Sequence, residues 1–459
     1  MSMVLAAIVW LMVLGVCVAD SYTYAGPVNS EDDPLRRGLW LALVAASALI
    51  ILLRLECASR VLRNTNVFYV TWVGLALVSD FWSVDTELTS RKLVRLMMMF
   101  AGFLAASVAA WEPRRFQHVL RPVLTLLVYS SIVFALGWPA LALHHEPEPE
   151  LINAWHGVCL TKNQLGAVAS FTLILWIHAW LTNETRAIKA FLGAGGALLC
   201  LIMSRSQTSL IASIIAAVAM VLLLRGSPTM RRRAPLIVSV FAGILMLFAL
   251  AMLNVIPGLR VILEPIPLIT GKTLTFSNRA QIWAVVMEHV RLRPLLGSGY
   301  GAFWLPNLPT PDKDSYFVLA RLNGLYPGSS HNGYLQVLND LGFVGLSVLL
   351  GYIFIYFRQS LRLYYADAAQ GALYIGILLQ QTTINTEEPN WLNSIMLDFV
   401  PMSLGTLFLA RALSEISART DPVRKSSLAR YRELISRRAT RRVEPTSTAT
   451  AYSRRSNQP

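Results

Sequence analysis

Apolar stretches long enough to cross a lipid bilayer recur along nearly the whole of this chain, and no other feature limits its fold so strongly. A spanning helix needs roughly 20 predominantly apolar residues. Twelve stretches qualify, centred near residues 11, 46, 73, 101, 133, 174, 197, 216, 244, 347, 378 and 404, with those around 73 and 197 short. Lipid offers no partner to backbone N–H and C=O groups, so each segment must satisfy its own. The expectation is an all-α polytopic membrane protein of about twelve transmembrane helices, or ten to eleven if the short segments do not cross. Of the 459 residues, 55% are hydrophobic and 14% charged, which excludes an ordinary soluble enzyme.

The first apolar run, Met3 to Ala19, lacks the basic n-region of a signal peptide and reads as a helix. Leu14-Gly15-Val16-Cys17 matches a lipoprotein cleavage box only loosely, because a valine precedes the cysteine. Cys17, Cys57, Cys159 and Cys200 are scattered, and their spacing suggests neither a disulfide framework nor a zinc site.

Arginine and lysine in short loops set orientation, since basic loops resist translocation. Loops 54 to 66, 111 to 122, 182 to 189, 225 to 234 and 358 to 369 are basic, and they are every second loop. Those between them are acidic: "SEDD" at 30 to 33, "HHEPEPE" at 144 to 150, "TEEPN" at 386 to 390. The basic set is expected inside. The tail from Arg411 adds twelve basic residues, so both termini are expected in the cytoplasm. Much of the +14 net charge is therefore a topology signal. Nucleic-acid binding is set aside, because the charges follow one membrane face without interleaved aromatics. "SSLARYRELISRRATRR" at 426 to 442 reads as a solvated tail, with a basic helix on anionic lipid or against a partner as the alternative.

Loops 144 to 164, 204 to 206 and 254 to 333 open to the same, outer side. The last has 80 residues, and loops of that length are usually functional. It contains "SNRAQIWAVVMEHVRLRPLLGSGYGAFW", which reads as an amphipathic helix capped by Ser277 or Asn278, with Ile282, Val286 and Val290 on one face and a stop at Arg293-Pro294. Arg279 falls in its first turn, beside free backbone N–H groups, a placement that suits a phosphate. Gly297, Gly299 and Gly301 lack a following Lys-Ser/Thr and read as a tight, flexible turn rather than a nucleotide loop. Asp312-Lys313-Asp314 resembles a metal-holding D-x-D run only superficially.

Three polar spots resist a purely structural account. Arg205 stands between two apolar stretches with almost no loop around it, and an arginine near membrane depth usually faces a polar cavity, snorkelling being the alternative. Lys162 and Asn163 open the helix centred near 174 at the outer surface. His331, at the start of another helix, is either a cap or a base. A neutral histidine among cations has its proton affinity lowered and serves as a base at neutral pH.

"SHNGYLQVLNDLGFVG" at 330 to 345 resembles the H-N-x-x-L…G-x-x-G signature of the O-antigen ligase and Wzy-type polysaccharide polymerase family. "KNQLG" at 162 to 166, "SRSQTSL" at 204 to 210 and "SNRAQIW" at 277 to 283 fit the same family in order. Together they delimit a core at 155 to 357, within a membrane domain at 1 to 410 followed by a cytoplasmic tail at 411 to 459.

The resemblance implies a membrane glycosyltransferase of the C type. It would use undecaprenyl-pyrophosphate-linked glycan on the periplasmic side of the bacterial inner membrane, with no cofactor and generally no metal. Arg205 and Arg279 would bind the diphosphate, His331 would take the acceptor proton, and Lys162, Asn163 and Asn332 would bind substrate, with inversion at the anomeric carbon. "WHGVCLTKNQLG" at 155 to 166 resembles exopolysaccharide polymerases more than ligases, although His156 replaces their usual basic residue. Polymerase is therefore the first expectation, with a chain-length regulator as possible partner, and ligation onto lipid A-core the second. A lipid-linked glycan transporter is the non-enzymatic alternative, but the expected internal repeat is not seen.

Overall fold

The computed structural model describes residues 8, 34–109, 116–145, 151–252, 279–305, 307–393 and 399–420. Fourteen helices of six residues or more organise these segments: α1 Pro34–Leu53, α2 Leu55–Asn64, α3 Val67–Val78, α4 Thr86–Ala109, α5 Gln117–Gly137, α6 Lys162–Leu181, α7 Ala187–Met203, α8 Gln207–Arg225, α9 Pro228–Met252, α10 Arg279–Val290, α11 Tyr316–Arg321, α12 Gly333–Ala366, α13 Ala368–Ile384 and α14 Phe399–Thr420. The described residues contain no strand, only one isolated bridge between Leu143 and Trp155. Residues Met1–Leu413 form one compact unit and Ser414–Pro459 a second, of which only the end of α14 is described.

The protein is an all-α, multi-pass membrane protein. Among the described residues, α4, α5, α6, α8, α12 and α14 contain stretches long and apolar enough to cross a bilayer, and α1 with α2, bent by 96°, make a seventh. Eleven of the twelve apolar segments found in the sequence fall on the fourteen helices, seven of them on this set and those near 73, 197, 244 and 378 on α3, α7, α9 and α13. The twelfth, the run from Met3 to Ala19, lies outside the described residues apart from Ile8, as do residues 253–278, with Ser277 and Asn278, and the basic tail stretch at 426 to 442. The segments around 73 and 197 give helices of 12 and 17 residues, as short as their sequences.

Side-chain caps mark several helix starts, where backbone N–H groups have no partner within the helix. Asn66 accepts from Phe68 N at 3.0 Å and donates to Tyr352 O at 2.9 Å, so one residue caps α3 and fastens it to α12. Thr161 caps α6 through Gln164 N, and Asp367 caps α13 through Gln370 N. Between these helices runs a buried aromatic ladder of Tyr69, Trp72, Tyr352, Tyr356, Tyr374 and Trp391, its rings at stacking or edge contact.

The connections sort into two sets that meet at opposite ends of the helices. At one end Arg54 and Arg411 both donate to Val108 O, at 3.1 and 3.0 Å, Arg121 pairs with Glu184 at 3.0 Å, and Arg225 donates to Leu181 O. The other end gathers residues 79–85, 144–145, 151–163, 204–208, 279–305, 307–332 and 385–391. The division coincides with the alternation of basic and acidic loops in the sequence.

α12 is interrupted at Gly342, whose φ of +65° lies in the left-handed region that glycine adopts without strain. The chain from Pro294 docks against the break: Phe343 N donates to Pro294 O at 2.8 Å and Val344 N to Leu295 O at 3.2 Å. A Cβ at Gly342 would lie 2.2 Å from Leu295 O. The turn at 297–301 corrects one expectation, because it is tight but not loose. Ser298 N and Gly299 N donate to Asn339 O and Asp340 O at 2.9 Å each, while Ser298 O accepts from Val84 N at 2.9 Å. Bonding to α12 on one side and to the α3–α4 connection on the other fixes it in place.

Candidate active site

The turn after α13 is the hub of the site. Asn385 Oδ1 accepts from Asn390 N and Trp391 N, at 3.0 and 2.9 Å, and closes the turn on itself. Gly333 N donates to Asn385 O at 2.8 Å, and Asn332 Nδ2 donates to Thr386 O at 2.9 Å. The start of α12, with His331 just before it, is thereby laid along residues 385 and 386. α10 is fastened to the same segment by Trp283 Nε1, which donates to Ser330 O at 3.0 Å.

The next two residues of the turn, Glu387 and Glu388, reach the remaining segments. Arg279 Nη1 is 3.1 Å from Glu387 and Nη2 is 3.8 Å from Glu388. The Thr208 hydroxyl donates to Glu387, and Asn163 Nδ2 donates to Glu388 at 2.6 Å. α6 is brought against the start of α8 by close packing: a Cβ on Gly166 would lie 2.5 Å from Ser206 Cβ. Hence "KNQLG", "SRSQTSL", "SNRAQIW" and "SHNG", far apart in the chain, converge on four residues of one turn.

Electrostatics differ sharply across this cluster. Burial pushes the His331 imidazole down to about 4, and the positive charge of Arg279 pushes the same way. The imidazole is neutral at physiological pH. The order of causes was not evident from sequence, where like charge alone is visible. Burial raises Glu388 to about 7, with Arg279, Asn163 and Lys162 favouring its charged form and Glu387 opposing it. Glu388 is therefore poised between acid and carboxylate near neutrality.

Each expected site residue has a definite place. The choice between cap and base for His331 resolves in part, because the cap of α12 is Asn332: its Oδ1 accepts from Tyr334 N and Leu335 N at 3.0 Å each. Asn332, expected to contact substrate, is fully buried, and both ends of its amide are engaged within the fold. His331 has φ +47° and sits partly exposed at the entrance to the helix. Arg205 forms the sharp α7–α8 connection at φ +51°, is exposed, and donates to Ile152 O at 3.0 Å. No hydrogen bond or ion pair among the described residues joins it to Arg279 or His331. Lys162 opens α6 with its backbone N donating to His144 Nε2 at 3.2 Å, next to Asn163. The D-x-D run is engaged in ion pairs, Lys313 with Asp85 at 2.9 Å and Asp314 with Arg293 at 3.2 Å.

Glu387, Glu388 and Thr208 were missed as site residues by sequence reasoning. "TEEPN" registered only as an acidic outer loop. The available signal was the polar run before it, Gln380, Gln381, Thr383 and Asn385, at the end of an otherwise apolar helix, since buried polar groups at membrane depth usually serve function.

Residues 190–350 match the sequence profile of the O-antigen ligase family, a span that includes Arg205, Arg279, His331 and both glycines of the G-x-x-G run. The chain thus carries a segment similar to the O-antigen ligase family. It is also 24% identical over 343 residues, 72% of each chain, to the exopolysaccharide production protein ExoQ of Rhizobium meliloti (strain 1021). Both likenesses point to a glycan-transferring membrane enzyme with a lipid-linked glycan as substrate. Glu387 and Glu388, which hold Arg279 from the other side, and Asn163, which anchors Glu388, lie outside the matched stretch.

Proposed function

We propose that this protein is a polysaccharide polymerase, transferring glycan repeat units from an undecaprenyl-pyrophosphate carrier to a lipid-linked acceptor at the periplasmic face of the inner membrane. The observation that carries the reading is the junction of Arg279, at the first residue of α10, with a neutral His331 whose proton affinity it lowers. A guanidinium offers a planar fork of donors that matches phosphate oxygens, and the helix N-terminus adds its partial positive charge. Arg205 and Lys162 open to the same end of the bundle and would extend the cationic surface toward the diphosphate. Asn163, which donates to Glu388 here, would contact the donor glycan beside it.

In the proposed step the acceptor hydroxyl oxygen bonds to the anomeric carbon while the bond from that carbon to the diphosphate oxygen breaks. The bonding electron pair leaves with the diphosphate, and the hydroxyl proton passes to His331. Attack opposite the leaving group inverts the anomeric centre. Negative charge grows on the diphosphate as the bond breaks, so Arg279 contributes most in the transition state. The likeness to ExoQ, a protein of exopolysaccharide production, favours polymerisation, and the likeness to O-antigen ligases favours ligation to lipid A-core as the second reading. Polymerisation would take a chain-length regulator as partner, with residues 1–410 as the catalytic domain and 411–459 as a cytoplasmic tail.

The decisive experiment replaces the arginine. Arg279→Lys should preserve expression and lose most polymer, because a point charge replaces a bidentate donor. Normal chain-length ladders from both Arg205→Ala and Arg279→Ala would overturn the diphosphate role.

A further inference from the structure

Arg279 is asked to hold an anion, yet two carboxylates already fill its fork. They come from consecutive residues, and each is anchored independently, Glu387 by the Thr208 hydroxyl and Glu388 by the Asn163 amide. Fixing one arginine in place needs a single partner. Two carboxylates side by side repel each other, and burial adds to the cost of their charge. Facing Glu388 are Arg279 from α10, Asn163 and Lys162 from α6 and Glu387 from its own turn. Two carboxyl groups from consecutive residues thus occupy the guanidinium on which the two phosphates of a diphosphate would sit.

Building on the diphosphate role of Arg279, we propose that Glu387 and Glu388 are an internal mimic of the donor's diphosphate, holding the Arg279 fork in its binding geometry and yielding it to the donor, with Glu388 withdrawing as the neutral acid. Each donor that binds then takes one proton from solvent onto Glu388, and departure of the carrier diphosphate returns it. Glu388 is suited to the exchange because its proton equilibrium lies at about 7 in the arrangement seen here, and a second anion beside it favours the proton further. The sign follows: below that value the acid is already neutral and yields readily, above it the proton must be drawn from solvent, so donor affinity falls as pH rises.

The test is binding of a synthetic polyprenyl diphosphoglucose to the full-length protein in nanodiscs, from pH 6 to 9. Both phosphates of this probe are diesters and keep their charge across the range, so any proton uptake belongs to the protein. Wild type should lose up to ~10-fold in affinity per pH unit above about 7. Calorimetry in buffers of different ionisation heat should count close to one proton taken up at the alkaline end of the range and few or none at pH 6. Glu388→Gln, whose amide oxygen still accepts from Asn163, should bind at high pH as tightly as wild type does at pH 6, without proton uptake. Glu387→Gln should bind more tightly at every pH and keep the pH dependence. If Glu388→Gln shows the wild-type affinity and pH profile, or lowers kcat alone, the mimic is refuted while the diphosphate role stands. If Arg279→Ala binds the probe as wild type does, the diphosphate role itself is refuted.

Discussion

Arg279 Nη1 and the carboxylate of Glu387 lie 3.1 Å apart, although α11, α12 and α13 separate them in the chain. The arginine belongs to the stretch that matches the O-antigen ligase family, and the glutamate lies beyond it. The matched segment thus supplies the cation, and the last helices of the bundle determine where it points.

His331 yields a prediction with a defined sign. Its imidazole is held down to about 4, so the free enzyme keeps a neutral base well below the pH at which an exposed histidine would protonate. With polymerisation assayed in nanodiscs, kcat/KM should show no protonation of His331 until the pH falls below about 5. The acid limb of kcat should lie higher, because bound diphosphate cancels the charge of Arg279 and leaves burial alone. An acid limb near pH 6.5 in kcat/KM would contradict the burial of the ring.

Replacing His331 by asparagine separates base from scaffold. Asparagine tolerates the left-handed φ of +47° found there, and Asn332 still supplies the cap, so the variant should fold with unchanged thermal stability. Turnover should drop by ~10² to 10⁴, as for removal of a general base. Full activity would move the search for the base to Asp312 and Asp314.

Asn332→Ala should have the opposite profile. It removes two capping bonds and the tie to Thr386 O, and should cost about 1 to 2 kcal/mol, read as a lower midpoint in thermal unfolding in detergent. Asn332→Ser should recover most of the cap and not the tie. Unchanged stability in the alanine variant would remove Asn332 from this role.

Gly342→Ala should abolish accumulation of folded protein, since the new methyl group would meet Leu295 O and the backbone there is left-handed. Monodisperse yield in size-exclusion chromatography is the measurement. Gly243→Ala, with no atom within 4 Å of the added Cβ, is the matched control.

Sidedness is tested by reporter fusions. Junctions after Gly226 and past Arg424 should report cytoplasm, and one near Pro309 periplasm. A cytoplasmic signal at Pro309 would place the cluster on the wrong face for a carrier-linked donor.

The spans were legible because apolarity is local: each helix outlines itself in its own sequence. Arg205, Arg279, Lys162 and His331 were visible as candidates, standing out as polar residues against apolar neighbours. Glu387 and Glu388 were not, since two acids in a loop look alike whether they face water or an arginine from another helix. Asn332 was read as a ligand because its neighbour His331 attracted the chemistry, and only the donors of Tyr334 and Leu335 reveal the cap. The fastening of the 297–301 turn was equally hidden, because the acceptors on Asn339 and Asp340 are backbone atoms.

An unbroken α12 of 34 residues would measure about 51 Å, far more than the roughly 30 Å of a hydrocarbon core. The interruption at Gly342 leaves residues 343–366 to span the lipid and assigns residues 333–341 to the collar of α10 and the turn after α13. Bilayers vary in thickness, and spanning helices answer by tilting. With the break at Gly342, the direction of the spanning part and the seat of the residues just after His331 on the 385–386 turn are set by separate contacts. The groups proposed to react would thereby be insulated from the mechanical state of the membrane.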